Sequence, residues 1–90
     1  MNSEQEHLVV TIDEMARFLR EAGHRSWADW LAKDVAWLRR GDAYGLTHFL
    51  SAFGGMGSLT DVLVASPDQA SFERLRAHAY KVAANLKRPS

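Results

Sequence analysis

Ninety residues make one small domain, long enough for a single core and too short for two, and a chain of this size buries only roughly 60 to 65% of its unfolded surface. Eleven basic and eleven acidic side chains leave a formal net charge of +0, so no global field draws the protein onto nucleic-acid phosphates or an anionic membrane. With 47% hydrophobic residues, 24% charged residues and no cysteine, the composition argues against disorder and a membrane span and excludes disulfides and thiolate chemistry; MNSEQEHLVV lacks the basic start and apolar core of a signal peptide, so a cytoplasmic location is expected.

The first helix signal is TIDEMARFLREAG, where Thr11 and Glu14 form an S/T-x-x-E capping box and Gly23 stands at the stop. Ile12, Met15, Ala16, Leu19 and Ala22 share one face at helical spacing, with Arg17, Arg20 and Glu21 opposite. The second helix, SWADWLAKDVAWLRRG, opens at Ser26 with Asp29 three residues on, and closes on Arg39 and Arg40 before Gly41, matching the helix dipole at both ends. Its Trp27, Trp30, Leu31, Val35, Trp37 and Leu38 cover a wide arc of roughly 160° at 100° per residue. Asp42 then caps a third helix, DAYGLTHFLSAF, with Leu46, Phe49, Leu50 and Phe53 on one face. The connection is short enough to make helices two and three direct neighbours, which places Trp37 and Leu38 near that face.

After the glycine-rich turn, SLTDVLVAS reads both ways. Ser58 and Asp61 resemble a capping box, yet DVLV is β-branched and short, so a helical turn followed by extended chain is expected. Ser66-Pro67 starts the last helix, which carries Phe72, Leu75, Ala79, Val82, Ala83 and Leu86 on one face and runs to about Lys87 before Pro89. The expectation is one all-α domain over residues 1–90: a bundle of four main helices with a short helical or extended element after the turn. Its expected core is Leu19, Trp27, Leu31, Trp37, Leu38, Phe49, Phe53, Leu63, Phe72 and Leu75.

The turn FGGMGS has three glycines where one in the left-handed conformation would end the helix at Phe53. Two functional readings stand beside simple termination. The backbone amides of Gly55 to Ser58 could form a nest for an anion or carbonyl, with Thr60 and His48 nearby in sequence; no lysine follows and no strand precedes, so this is not a phosphate loop. Alternatively, Met56 stands at the apex of a side-chain-poor surface that a protein partner can approach closely.

At this turn the chain also resembles a family. FLSAFGGMGSLTDVLV, preceded by SWADWLAKDVAWLRRGD, is similar to a family of short, largely uncharacterised bacterial proteins. In these a Trp-containing helix and a G-D break lead into an F-G-G-M-G-S turn and an Asn-or-Thr/Asp pair. The likeness covers roughly residues 26 to 64; Gly54, Gly55, Met56, Gly57, Ser58 and Asp61 hold the motif positions, and Thr60 stands where Asn is most frequent. Some members resemble immunity proteins encoded beside bacterial toxins, so the resemblance implies a binding role.

Catalytic constellations are sparse. His7, His24, His48 and His78 show no H-E-x-x-H and no i, i+4 pair, so a zinc site would have to be assembled by tertiary folding, and no metal or cofactor is expected. Ser51 and Ser58 flank the turn and His48 precedes Ser51 by three, but no G-x-S-x-G is present; Asp29 with Lys33 and Asp13 with Arg17 read as solvated i, i+4 pairs. The expectation is therefore a non-enzymatic protein-binding module, most specifically an immunity or antitoxin-like protein that neutralises a toxin by direct binding. Its expected contact residues are Met56, Gly55, Gly57, Ser58, Trp30, Tyr44 and Asp61, with Trp30 as the hot spot at the rim beside Tyr44 or Met56. Neutral charge argues against a strongly basic nuclease as the target. The alternative is a small anion- or ligand-binding regulatory domain using the Gly55–Ser58 amides, and a homodimer follows if the tryptophan arc exceeds what one chain can cover.

Overall fold

The computed structural model describes residues 3–54, 58–64 and 68–88. Four α-helices follow in order: α1 (Ser3–Glu21), α2 (Arg25–Arg39), α3 (Tyr44–Leu50) and α4 (Gln69–Lys87), with a 3-10 turn at Leu59–Asp61 between α3 and α4. No strand occurs among the described residues, so the fold is the all-α small bundle expected from the sequence. The main packing runs α1 on α2, α2 on α3, α3 on α4 and α4 back on α1, a closed ring around one core. No helix among the described residues is long and apolar enough to cross a membrane.

α1 starts at Ser3, well before the capping box expected at Thr11. Leu8, Val9, Ile12, Met15 and Leu19 form one buried stripe that carries the helix straight through Thr11. Thr11 is therefore a buried mid-helix residue whose hydroxyl donates to the His7 carbonyl one turn back, at 2.9 Å. Ser26 likewise lies inside α2, and His24 takes the N-cap position without a side-chain hydrogen bond.

The α2–α3 corner forms as the sequence indicates. Gly41 has φ +76°, and the bonds Gly41 N–H to Leu38 O (3.0 Å) and Asp42 N–H to Trp37 O (2.9 Å) make the paired closure that ends a helix at a left-handed residue. Asp42 then accepts the Tyr44 amide at 2.9 Å. α3 itself is shorter than expected: after Leu50 the chain tightens through Ala52 N–H to Phe49 O and Phe53 N–H to Leu50 O, and Gly54 turns it with φ +95°. Ser58 accepts the Thr60 amide and caps the 3-10 turn, after which Val62 is extended (φ −74°, ψ 134°).

Leu19, Leu31, Leu38, Phe49 and Phe72 are fully buried, and Trp27, Phe53 and Leu75 pack partly buried against them. Two residues are exceptions: Trp37 is partly buried against Tyr44 and His48 and is not part of the core cluster, and Leu63 is 68% exposed. Leu59 and Val64 supply the buried apolar side chains of that segment, while Leu63 contributes its carbonyl, which accepts from His24 Nε2. The acids Asp13 and Asp29 form ion pairs across α1 and α2, with Arg39 at 3.0 Å and Arg20 at 3.3 Å, rather than the i, i+4 pairs expected. Both are well exposed and add little stability.

Candidate functional site

Trp30, Asp34 and Trp37 recur at i, i+4 and i+7 on α2, so they project to one side. Between Leu31 and Leu38 on that side a carboxylate is the odd residue, and Asp34 is fully buried. An ionised carboxylate in such a place needs a partner, because its lost hydration is not otherwise replaced. The partner arrives on α3. Gly45 lets the two helices approach closely: a Cβ there would lie 3.0 Å from Leu38 Cγ and 3.1 Å from both the Asp34 carbonyl oxygen and Trp37 Cβ. One turn further on, His48 Nδ1 meets Asp34 Oδ1 at 2.5 Å.

Aromatic rings enclose that imidazole. Trp30 stacks on it (centroids 4.1 Å apart, planes 22° apart), Trp37 meets it edge-on (4.9 Å, 69°), and Tyr44 lies tilted 6.1 Å away while also packing edge-on to Trp37 at 4.9 Å. Trp27 continues the cluster from Trp30, at 5.6 Å. The backbone carbonyl of His48 is held as well, accepting Trp30 Nε1–H at 3.3 Å and the Ser51 hydroxyl at 2.7 Å, which satisfies an acceptor that the end of α3 leaves open.

Burial pushes the Asp34 carboxyl up from its ordinary 3.8 to about 6, opposed by the hydrogen bond and charge of His48. Its second oxygen, Oδ2, is buried without a hydrogen-bond partner. While Asp34 is ionised it only accepts, so His48 donates through Nδ1 and a neutral ring keeps Nε2 as an acceptor. The His48 side chain is 16% exposed and Asp34 wholly enclosed, so the pair is a mostly covered, oriented imidazole backed by a hidden carboxylate. The Ser51 hydroxyl is turned to the His48 carbonyl rather than to its ring.

Of the residues expected from the sequence to make contact, Trp30 and Tyr44 both come to His48, with Tyr44 53% exposed. Ser58 is buried as the cap of the 3-10 turn, and Asp61 is exposed on it. Gly55, Met56 and Gly57 lie outside the described residues. Asp34 is absent from the expected set, although an acid between Leu31 and Leu38 on an apolar stripe was the available signal. Among the described residues no group of three or more His, Cys, Asp or Glu is gathered that could hold a metal ion.

A family model described as a domain of unknown function (DUF6966) matches residues 20–73. The matched stretch contains all of α2 and α3, and with them Trp30, Asp34, Trp37, Tyr44 and His48. No curated protein and no solved structure matches the chain.

Proposed function

We propose, from the premise that the chain belongs to the DUF6966 family, that it is a protein-binding module whose contact face is the α2–α3 aromatic surface around His48, working without catalysis. The observation that carries this reading is the Asp34–His48 pair set among Trp30, Trp37 and half-exposed Tyr44. Tyrosine and tryptophan dominate binding hot spots because they offer large contact area with few rotatable bonds. Asp34 holds the imidazole from behind and Trp30 from the side, so ordering it adds little cost when a partner docks. With no net charge to steer association, affinity comes from these rings and from one directed hydrogen bond at the imidazole edge.

The narrower form, neutralisation of a bacterial toxin, rests on the resemblance of the glycine-turn segment and on the zero net charge, which suits a target without a strongly basic cleft. Co-expression with the toxin-like product of the neighbouring gene tests it. The expected result is restored growth and a co-purifying complex, with Tyr44→Ala, shown folded by circular dichroism, weakening binding by about 2 kcal/mol, roughly thirtyfold. No rescue by the parent chain and no complex would sink the toxin reading, and undiminished binding by Tyr44→Ala would move the contact off this face.

A second reading, a small-ligand regulatory domain, draws on a groove of about 580 Å³ lined by Leu50, Phe53, Thr60, Arg76 and Tyr80. That size suits a small molecule, and Gly54 and Thr60 are among the residues that line it. Arg76 is already engaged there, donating through one nitrogen to the carbonyls of Leu59 and Val62 at 3.2 Å each.

A further inference from the structure

Two of the four histidines are committed to oxygen partners: His24 Nε2 donates to the Leu63 carbonyl at 2.6 Å and His48 Nδ1 to Asp34. His7 and His78 are different. They lie 71 positions apart in the chain, on α1 and α4, and their Nε2 atoms face each other at 2.6 Å, with ring centroids 4.8 Å apart and planes at 76°. Each stands immediately before a buried residue of its helix, Leu8 on α1 and Ala79 on α4, and both rings are at the exposed edge of the core those residues enter. The helices pack on each other, so the pair is fixed by the fold and not by local spacing.

Two imidazole nitrogens converging on one point, with no ion pair to an acid at either ring among the described residues, make a hydrogen-bonded pair and a ready pair of metal ligands. Without metal, one Nε2 carries the hydrogen and the other accepts it. A transition-metal ion in place of that hydrogen needs metal–nitrogen distances of about 2.0–2.1 Å, which at a tetrahedral angle sets the nitrogens about 3.3 Å apart. The required opening is under about 1 Å by that geometry, within reach of small side-chain rotations at an exposed edge. We propose that His7 and His78 form a two-imidazole site for a divalent transition-metal ion, copper(II) or zinc(II), which clasps α1 to α4.

Imidazole nitrogen suits both ions, and copper(II) stands at the top of the affinity order for such ligands. The protein supplies two ligands and water the rest, so the ion is exchangeable and keeps open positions for a ligand from solution. Binding requires both rings neutral, so acid releases the ion by proton competition. The site is independent of the α2–α3 face.

The test uses the full chain without a polyhistidine tag, titrated with copper(II) chloride and zinc chloride by calorimetry, together with electron paramagnetic resonance of the copper form. The expected result is one saturable ion per chain, a spectrum showing two imidazole nitrogens, and a melting temperature that rises with metal. His7→Gln and His78→Gln each weaken binding by about tenfold or more and reduce the thermal shift at a given metal concentration, whereas His24→Gln does neither. Because positions 7 and 78 are exposed, these variants keep the fold, which circular dichroism checks. Absence of saturable binding of either ion overturns the proposal. So does unchanged affinity in the His7→Gln/His78→Gln double variant, which would assign the ion to another part of the chain.

Discussion

The contact of α1 with α4 and the contact of α2 with α3 close the same ring of helices with different chemistry. Leu8, Ile12 and Met15 from α1 and Phe72, Ala79 and Ala83 from α4 are all fully buried members of one apolar cluster. The α2–α3 contact places at its centre Asp34, a carboxylate with one oxygen paired to His48 and the other left without a partner. Apolar side chains of the same volume would close that contact at least as well, since a buried ion pair rarely outdoes its hydrophobic replacement. Both contacts bury apolar side chains, Leu31, Leu38 and Phe49 among them in the second, but the second also has a geometry to maintain: it holds one imidazole, 16% exposed, in one orientation. Asp34 and His48 both lie within the family-matched stretch, residues 20–73.

The largest expected effect tests the apolar side. Phe72→Ala removes a fully buried aromatic ring and should cost about 3–5 kcal/mol, a large share of the total stability of a domain this size. Guanidinium denaturation should give the same loss at pH 4 and pH 7, because no ionisable group is removed. A loss that changes with pH would show that the two contacts are not separable.

Asp34→Asn tests the polar side. The folded-state value of about 6 lies above the ordinary 3.8, so between these limits the native state holds more proton than the unfolded chain. The parent's stability contribution from this group is then fully present below about pH 4 and is lost as pH rises to about 6, the reverse of a salt-bridged aspartate. The shift corresponds to about 3 kcal/mol. The asparagine variant has no such titration, so its stability relative to the parent should improve by up to about that amount between about pH 3.5 and pH 7. Parallel curves in urea across that range would mean that Asp34 ionises with little penalty and that its burial is relieved by other means.

Much of the architecture was legible because its causes are local. The Gly41 stop, the Asp42 cap, the Ser58-capped turn and the end of α4 near Lys87 all follow from groups within a few residues of one another. The errors have tertiary causes. Thr11 carries a good capping signal, but the stripe from Leu8 to Leu19 gains more by burial as one helix than the cap gains by ending it. Leu63 looks like core until Leu59 and Val64 take the buried positions. The site is half legible: Trp30 and Tyr44 stand among the expected contact residues and His48 only beside the alternative anion nest, and their convergence depends on α3 crossing close to α2. That approach rests on Gly45, which in sequence reads only as a weak point in a helix. The His7–His78 pair was invisible for the same reason, since no spacing rule joins residues on α1 and α4.

Gly45→Ala brings the packing and the pairing to one atom. The added methyl would meet Leu38 Cγ at 3.0 Å, a side-chain atom that can yield, and the Asp34 carbonyl oxygen at 3.1 Å, a backbone atom inside α2 that yields only if the helices part. The cost should be about 1–3 kcal/mol, the usual range for overpacking a core. Parting the helices also draws His48 from Asp34 and leaves the carboxylate worse paired, so the cost should depend on what stands at position 34. Combined with Asp34→Asn, Gly45→Ala should deviate from additivity by about 0.5 kcal/mol or more, because the two act on one interaction. Combined with Phe72→Ala it should add within about 0.5 kcal/mol. If both pairs are additive, Gly45 acts only through local packing against Leu38 and Trp37, and the placement of His48 over Asp34 depends on the rest of α3 rather than on this close approach.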